Sequence, residues 1–247
     1  MWLLLLSATL AVLAVLASAA SAASAAVAPK PNFVFILGDD WGYGDVGAYR
    51  TLLNHGIDQP ATPNLDRMAK EGTTFWNFHT LGAECSPSRA SWMTGRSPSD
   101  KAVGINLVIG NHETNVGKGC ADWVNLSTPT VFSTMSKAGY SVGHFGKWHM
   151  GDSPANATAG IPAAPSLDKY GIDSFKCYVC NAPDPESTIH LYATSDMWFP
   201  SNSSKLIVGD AIKFISAAQA EKKPFYLNVR GKALIVCTRM FVLGCLC

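Results

Sequence analysis

Three segments of the chain have the composition of buried strands. Residues 31–37 and 224–229 are apolar runs rich in β-branched and aromatic side chains, and residues 140–145 form a similar but shorter stretch. A run of this kind is typical of a strand that is buried on both faces of a parallel sheet. We therefore predict that the three segments are neighbours in one mostly parallel sheet. Residues that follow parallel strands meet at the same sheet edge.

Apolar residues at helical spacing predict helices between these strands. The first covers residues 62–72, where Thr62 occupies the capping position, Pro63 follows at the first helical position and Gly72 ends the period. Residues 128–139 and 203–220 show the same periodicity. These are the three helices that the pattern predicts.

The remaining segments give weaker signals. Residues 73–79 alternate weakly and predict a strand that leads to Cys85. The Gly-rich and Asn-rich segment 97–124 predicts a loop over the site, and residues 151–200 predict irregular structure. Within the latter, Cys177 and Cys180 form a C-x-x-C motif, which indicates a disulfide in an oxidising compartment rather than a zinc site, because a second cysteine pair is missing.

The first 29 residues have the character of a secretory signal peptide. Residues 1–29 contain no charged side chain, begin with an apolar stretch and end in a tract of alanine and serine. An uncleaved membrane anchor is the alternative, because the apolar stretch is close to the minimum length of a span. Glycosylation sequons at Asn125, Asn156 and Asn202 agree with passage through the secretory pathway.

Length and composition allow one domain with a sizeable core. The chain has 247 residues, of which 48% are hydrophobic. We assign residues 30–229 to this domain. The net charge of +1 gives no electrostatic reason to expect a nucleic acid or an anionic membrane surface as a partner.

The segment 85–96 carries the chemistry on which the functional interpretation depends. Pro87 suits the first helical position, which would make Cys85 the cap of a helix. A helix start favours anions, and Arg89 returns to the same face of the first turn with a guanidinium that can hold an oxyanion by two hydrogen bonds. The alternative is a structural or disulfide-bonded cysteine that happens to begin a helix.

Polar residues also follow two of the predicted strands. Asp39 and Asp40 come after the first strand, where carboxylates can hold a cation such as Ca²⁺ or Mg²⁺ or can belong to an ordinary turn. Lys147 and His149 come after the second strand, and residues two apart on an extended segment point to the same side. A lysine supplies a fixed positive charge and a histidine a titratable one, although such a pair is also common on ordinary surfaces.

Two motifs in this chain resemble the signatures of the type I sulfatases. The first is C-x-P-S-R followed by Met-Thr-Gly-Arg, from Cys85 to Arg96. The second is G-Y-x-[ST]-x-x-x-G-K-W-H-x-G, from Gly139 to Gly151, in which Val142 replaces the usual Ser or Thr. The opening D-D-x-G-x-G-D, from Asp39 to Asp45, resembles the family as well.

The resemblance implies a fold, a cofactor set and residue roles. The implied fold class is α/β, a doubly wound and mostly parallel sheet of the alkaline-phosphatase and sulfatase type. In that family the cysteine is oxidised before folding to formylglycine, so Cys85 would become the nucleophile. Asp39, Asp40 and the modified Cys85 would bind one Ca²⁺ rather than Mg²⁺. Catalytic roles would fall on four residues: Cys85, Arg89, Lys147 and His149.

The resemblance ends at Val229, and residues 230–247 form a divergent tail. The family has a second acidic pair and a further lysine in its later part, whereas no Asp or Glu follows Glu221 here. We therefore expect a C-terminally truncated catalytic domain with an incomplete cation site. Its expected partners are a sulfate-ester small molecule or a sulfated glycan and the formylglycine-generating enzyme.

The sequence thus predicts a sulfuric ester hydrolase with impaired turnover, located in the secretory pathway and secreted, extracellular or lysosome-like. Two alternatives stay open: a non-catalytic sulfatase-like fragment, and a phosphoester hydrolase of the same superfamily. The latter enzymes use a hydroxyl nucleophile with two zinc ions, so Cys85 in the C-x-P-S-R motif favours sulfate.

Overall fold

The architecture is known for most of the chain between Pro29 and Lys232. The computed structural model describes residues 29–39, 41–49, 61–106, 112–151, 164–178 and 199–232. The predicted signal peptide, Asp40, Asn156, Cys180 and residues 233–247 lie outside these ranges, apart from Pro29 itself. The elements below belong to the compact unit that begins at Pro31.

Four strands and five α-helices form the described part of the chain. In chain order they are β1 (Phe33–Asp39), α1 (Pro63–Glu71), α2 (Cys85–Thr94), α3 (His112–Gly117), α4 (Val131–Lys137), β2 (Ser141–Lys147), β3 (Ser174–Tyr178), α5 (Phe199–Ala220) and β4 (Phe225–Lys232). Short 3₁₀ turns occur at Tyr43–Asp45, Gly47–Tyr49 and Leu167–Tyr170. None of the described helices combines the length and the apolar character that crossing a bilayer requires.

The four strands form one parallel sheet in the order β1-β4-β2-β3. Phe33 pairs with Tyr226, and Ser141 pairs with Phe225 on the other side of β4. The prediction that the three strand-like segments are neighbours is therefore confirmed. The last strand in the chain lies between the first two, and all of its residues from Phe225 to Arg230 are buried, as expected of an inner strand of a parallel sheet.

One face of the sheet is covered by α2 and α4. Phe132 of α4 is fully buried, and its ring centroid lies 5.7 Å from that of Trp92, 6.0 Å from Trp148 and 5.8 Å from Tyr226. Clustered aromatic rings of this kind remove large apolar areas from water and add favourable edge-to-face contacts. This aromatic layer holds α2, the helix that begins at Cys85, against the sheet.

The opposite face is covered by α5. Its buried residues contact the outward side chains of β2 and β4, and this layer contains Phe145, Ile207, Ala211, Phe214, Ala218, Phe225, Leu227 and Val229. The close approach of α5 depends on Gly143, because a Cβ atom there would lie 2.9 Å from the ring of Phe214. Helices on both faces of a parallel sheet define the doubly wound α/β class, which agrees with the expected fold.

The strand predicted at residues 73–79 is wrong. The segment is irregular, and Phe75 and Trp76 are 61% and 51% exposed. Aromatic residues only favour extended structure, and a strand also needs a neighbouring edge with which to pair. Here Trp76 instead contacts Tyr49, with ring centroids 5.4 Å apart and edge to face.

The irregular structure predicted for residues 151–200 is wrong in part, because it contains β3. Cys177 is fully buried as a free thiol, so the disulfide that the C-x-x-C motif indicated is wrong for this residue. Burial raises the pKa of the Cys177 thiol well above its usual value, which keeps it protonated and unreactive. The alternation of polar and apolar residues in β3 could not be recognised in the sequence because the residues around it are mostly polar.

Arg230 lies in β4 at the start of the predicted divergent tail and is fully buried. Its Nε donates to Oδ1 of Asn228 at 3.1 Å, and its guanidinium carbon lies 4.4 Å from the ring centroid of Trp92. Among the residues that the structure describes, Nη1 and Nη2 of Arg230 find no hydrogen-bond partner. A buried charge with unsatisfied donors opposes folding, because the desolvation penalty exceeds what one cation–π contact returns.

We predict that Arg230→Met stabilises the protein. Removing the unsatisfied donors while keeping an apolar side chain over Trp92 should increase the free energy of unfolding by about 1–2 kcal/mol and Tm by a few degrees. Thermal unfolding followed by circular dichroism measures the change. Arg67→Met on the exposed side of α1 is the matched control and should leave Tm unchanged. A lower Tm for Arg230→Met would show that Arg230 stabilises the fold.

Candidate active site

The site begins with the first turn of α2. The helix starts at Cys85 itself, Glu84 is the capping residue, and Pro87 occupies the third helical position. The prediction that Cys85 caps the helix and Pro87 follows at its first position is therefore wrong by one to two residues. A proline is still tolerated there, because the N–H groups of the first turn have no partner within the helix. Gly95 ends the helix in a left-handed conformation, with φ of 68°.

Two strand ends bring charged side chains to this turn. Asp39 is the last residue of β1 and Lys147 is the last residue of β2. Lys147 Nζ lies 3.3 Å from Cys85 Sγ and 3.2 Å from Asp39 Oδ2. The predicted convergence of Asp39, Cys85 and Lys147 beyond the strand ends is confirmed.

Arg89 connects the same groups from the side of α2. Its Nη1 donates to the backbone oxygen of Lys147 at 3.0 Å, and its Nη2 donates to Oδ1 of Asp39. Burial works to raise the pKa of Asp39, but the positive charges of Arg89 and Lys147 outweigh it and hold that pKa below its usual value. Asp39 is therefore an ionised carboxylate held between two cations.

The four side chains differ sharply in their access to solvent. Arg89 is 1% exposed, Lys147 is fully buried and Asp39 is 8% exposed, whereas Cys85 is partly exposed. A substrate can therefore reach the sulfur atom before it reaches the charges. The buried network sets the electric field at Cys85 and fixes the position of the Lys147 ammonium group.

Close backbone packing helps to place Lys147. Gly146 has a φ of 108°, and a Cβ atom at this position would lie 2.1 Å from the backbone oxygen of Arg230. Only glycine adopts this conformation and allows this approach at the same time. The end of β2 is thus held close to β4, one residue before the lysine.

His149 is placed differently from the prediction. The strand ends at Lys147, and His149 has a left-handed φ of 54°, so the argument that alternate residues of a strand share a side does not apply. The side chain is 2% exposed. A left-handed conformation at a residue other than glycine costs about 1 kcal/mol and often marks a functional constraint. Its catalytic role stays a prediction.

The sequence interpretation missed His144, which is fully buried in the aromatic layer. Its ring lies 5.9 Å from Phe132 and 5.3 Å from Trp148, both edge to face. Burial, together with the positive charge of Arg89, lowers the pKa of His144 to about 3. This histidine is neutral at physiological pH and belongs to the core below the site. His144 lies two residues after buried Val142 in β2 and therefore on the same face of the strand. This spacing is the sequence signal that could have indicated its burial.

The described residues do not make a calcium site. Asp39 already binds two cationic side chains, and Asp40, the other predicted ligand, lies outside the described residues. In the part of the chain that the structure describes, no three His, Cys, Asp or Glu side chains are grouped so that they could hold a metal ion. Ca²⁺ prefers six to eight oxygen ligands. A donor set of one carboxylate, already paired with Arg89 and Lys147, does not fit this ion.

Fold and site together define an α/β protein with a cysteine beside two buried cations at the strand ends, and comparison with known proteins makes the class specific. The Sulfatase family model matches residues 31–229. The chain is 40% identical over 228 residues to Arylsulfatase G of Rattus norvegicus, covering 82% of this chain and 40% of that protein. It is 31% identical over 217 residues to N-acetylgalactosamine-6-sulfatase of the same species, covering 81% and 39%. The chain therefore belongs to the sulfatase family.

Structural comparison agrees with this assignment. The crystal structure of Ps i-CgsB in complex with k-i-k-neocarrahexaose superposes with a TM-score of 0.58 and 25% identity, covering 83% of this chain and 45% of that one. The expected fold type is thus confirmed. The chain spans less than half the length of the relatives that it matches.

We predict that the stability of the protein falls as the pH decreases from 6.5. The unfolded chain binds a proton at His144 near pH 6.5, whereas the folded chain does so only near pH 3. The free energy of unfolding should therefore have its full value above pH 6.5 and decrease by about 1.4 kcal/mol per pH unit below it. Urea unfolding at pH 7 and pH 5 should differ by about 2 kcal/mol from this residue alone.

Two variants make this test specific. His144→Phe keeps an aromatic ring between Phe132 and Trp148 and should remove the slope between pH 7 and pH 5. His79→Phe is the control, because His79 is exposed and should leave the slope unchanged. Equal slopes in both variants would contradict the assignment to His144.

Removing calcium should barely affect the stability of this chain. Because the described donors do not form a calcium site, EGTA should change Tm by less than about 1 °C relative to millimolar Ca²⁺. Differential scanning calorimetry with and without the chelator measures this. A large Ca²⁺-dependent increase in Tm, abolished by Asp39→Asn, would instead show that a complete cation site exists.

Proposed function

We propose that this chain carries the nucleophile-bearing part of a sulfuric ester hydrolase. The observation that supports the proposal most directly is the position of Cys85, which is partly exposed at the start of α2, with the ammonium of Lys147 3.3 Å from its sulfur atom. A sulfate ester is a permanent anion, and a helix start beside buried cations favours anions.

The nucleophile in this proposal is a modified Cys85. Formylglycine, made by oxidation of the cysteine, supplies a hydroxyl nucleophile through its hydrated aldehyde. The intact sequence from Cys85 to Arg89 resembles the motif that the formylglycine-generating enzyme reads, and this enzyme is the proposed partner for the modification.

Three buried groups act on this nucleophile. Lys147 is within hydrogen-bond distance of the reacting position and provides a positive charge that offsets charge developing there. Arg89 fixes the end of β2 through the backbone oxygen of Lys147 and shares Asp39 with the lysine. Preorganised charges of this kind need no rearrangement when the substrate reacts.

His149 is the proposed proton acceptor at the modified Cys85. Histidine is the side chain that most often accepts a proton in enzyme active sites. Its position two residues after Lys147 and its left-handed backbone agree with a side chain held for one task. A pH profile of activity would test this role.

Calcium is the cofactor that the family resemblance implies, with Asp39, Asp40 and the modified Cys85 as proposed ligands. Because the described donors do not fit this ion, we assign no step of the reaction to it. Positive charge near the nucleophile comes from Lys147 and Arg89 in the chain as described.

The proposed substrate is a sulfated sugar or another sulfate ester in the secretory pathway or the extracellular space. One relative is named N-acetylgalactosamine-6-sulfatase, and a structural neighbour was crystallised with k-i-k-neocarrahexaose. The apolar, uncharged residues 1–29 support a signal peptide that directs the chain there.

A second function is that of a non-catalytic sulfatase-like chain. It is favoured because the carboxylate of Asp39 is already paired with two cationic side chains. In this alternative the chain binds anions weakly at Cys85 and turns nothing over. Each missing electrostatic or proton-transfer group typically lowers a rate by about 10²–10³. The two functions therefore differ in the rate at which substrate is hydrolysed, whereas the modification of Cys85 is expected in both.

The first half of the test is chemical. We predict that Cys85 is oxidised to formylglycine when the chain is produced in a eukaryotic secretory host, because the motif is read before folding. Mass spectrometry of the tryptic peptide that contains Cys85 measures the aldehyde. An unmodified thiol in every molecule would contradict the proposed nucleophile.

The second half of the test is kinetic. We expect hydrolysis of 4-nitrophenyl sulfate near background for this chain, with any residual activity lost in Cys85→Ala and in Lys147→Met. 4-Nitrophenyl phosphate is the comparison substrate for the phosphoester alternative. Robust Cys85-dependent release of sulfate would rule out the non-catalytic function, and preferential phosphate release would contradict the sulfatase proposal.

A further inference from the structure

The sequon that begins at Asn125 lies in an exposed turn between two buried anchors. Asn125, Leu126 and Ser127 are exposed, whereas Val124 is fully buried and Thr128 is 6% exposed. Tyr170 Oη donates to the backbone oxygen of Val124 at 2.7 Å, and Thr128 Oγ1 donates to that of Ala102 at 2.8 Å. The turn is thus fixed at both ends and projects its three central residues into solvent.

The side chain of Asn125 is oriented by Ser127. Oδ1 of Asn125 accepts hydrogen bonds from the backbone N–H and from the hydroxyl of Ser127, both at 2.9 Å. The backbone oxygen of Asn125 accepts from the N–H of Thr128 at 2.9 Å. Because a backbone N–H can only meet the oxygen of a carboxamide, this Asx turn defines which side is Oδ1. Nδ2, on the other side of the planar group, points away from the turn.

These contacts suit the chemistry of N-glycosylation. An amide nitrogen is a poor nucleophile, because its lone pair is delocalised into the carbonyl group. Hydrogen bonds from Ser127 to Oδ1 draw charge onto that oxygen and make the Nδ2 protons easier to remove. The Asx turn involves only three residues, so it can form in a nascent segment before the domain has folded.

We infer that Asn125 carries an N-linked glycan. In the transfer, a bond forms between Nδ2 and the anomeric carbon of a lipid-linked oligosaccharide, and the bond from that carbon to the lipid diphosphate breaks. The diphosphate leaves with the bonding electrons, and one Nδ2 proton passes to a base of the transferase. The folded chain accommodates the product, because Asn125 and both neighbours in the sequon are exposed.

The sequon at Asn202 lies in a helix rather than in a turn. In α5 the backbone N–H groups bond along the helix, so the backbone around Asn202 does not form the turn seen at Asn125. Asn156 lies outside the described residues. Asn202 therefore provides a matched control in the same chain.

The inference depends on the proposed entry into the secretory pathway, so the experiment measures entry and modification separately. The full chain is translated with microsomes, and external protease removes all molecules that have not entered. The protected chain is then deglycosylated enzymatically in heavy-oxygen water, which converts each glycosylated asparagine to a labelled aspartate. We expect labelled aspartate at position 125.

Variants identify the glycan by gel shift. Asn125→Gln and Ser127→Ala should each lose the mass of one glycan, whereas Ser127→Thr should keep it and Asn202→Gln should leave labelling at position 125 unchanged. Protected chains with unlabelled Asn125 would overturn the inference while leaving the secretory proposal intact. A chain that never becomes protected would overturn both, because Asn125 would then never meet the transferase.

Discussion

The ion-pair network around Asp39 is the interaction on which the site depends. One carboxylate at the end of β1 binds the guanidinium of Arg89 from α2 and the ammonium of Lys147 from the end of β2. Three separate elements are thereby fixed to each other within a few ångströms of Cys85. Removing one partner of a buried network leaves uncompensated charge and typically costs about 3–5 kcal/mol. The same three side chains sum to one positive charge, which lies beside the partly exposed Cys85.

The aromatic layer below this network contains polar groups in unusual positions. His144 remains neutral there because its charged form would be desolvated and would lie near Arg89. Arg230 cannot become neutral, so its charge stays buried beside Trp92. The layer that holds α2 against the sheet therefore combines extensive apolar burial with two buried polar side chains, one of which keeps its charge.

Much of the site could be predicted from the sequence, because its elements are marked by long apolar runs and by motifs at their ends. Strands β1, β2 and β4 and helix α5 carry such signals, and Asp39, Cys85 and Lys147 follow from where these elements end. The strand predicted at residues 73–79 failed because a pairing edge cannot be read from alternation, and β3 was missed because it is short and surrounded by polar residues. The environments of His144 and Arg230 depend on which residues of β1 and β2 pair with β4. This register is set by tertiary packing and leaves no local signal in the sequence.

The topology of the sheet also has a consequence in time. β1 pairs with β4, and Asn32 Oδ1 accepts a hydrogen bond from the N–H of Phe225 across a separation of 193 residues. β1 cannot pair with β4 until β4 has been synthesised, and at about 5–20 residues per second the interval between residues 85 and 225 is roughly seven to thirty seconds. During this interval the segment around Cys85 has no completed sheet to dock against. The order of the strands thus leaves the cysteine motif without its final docking surface in the nascent chain until β4 has been made.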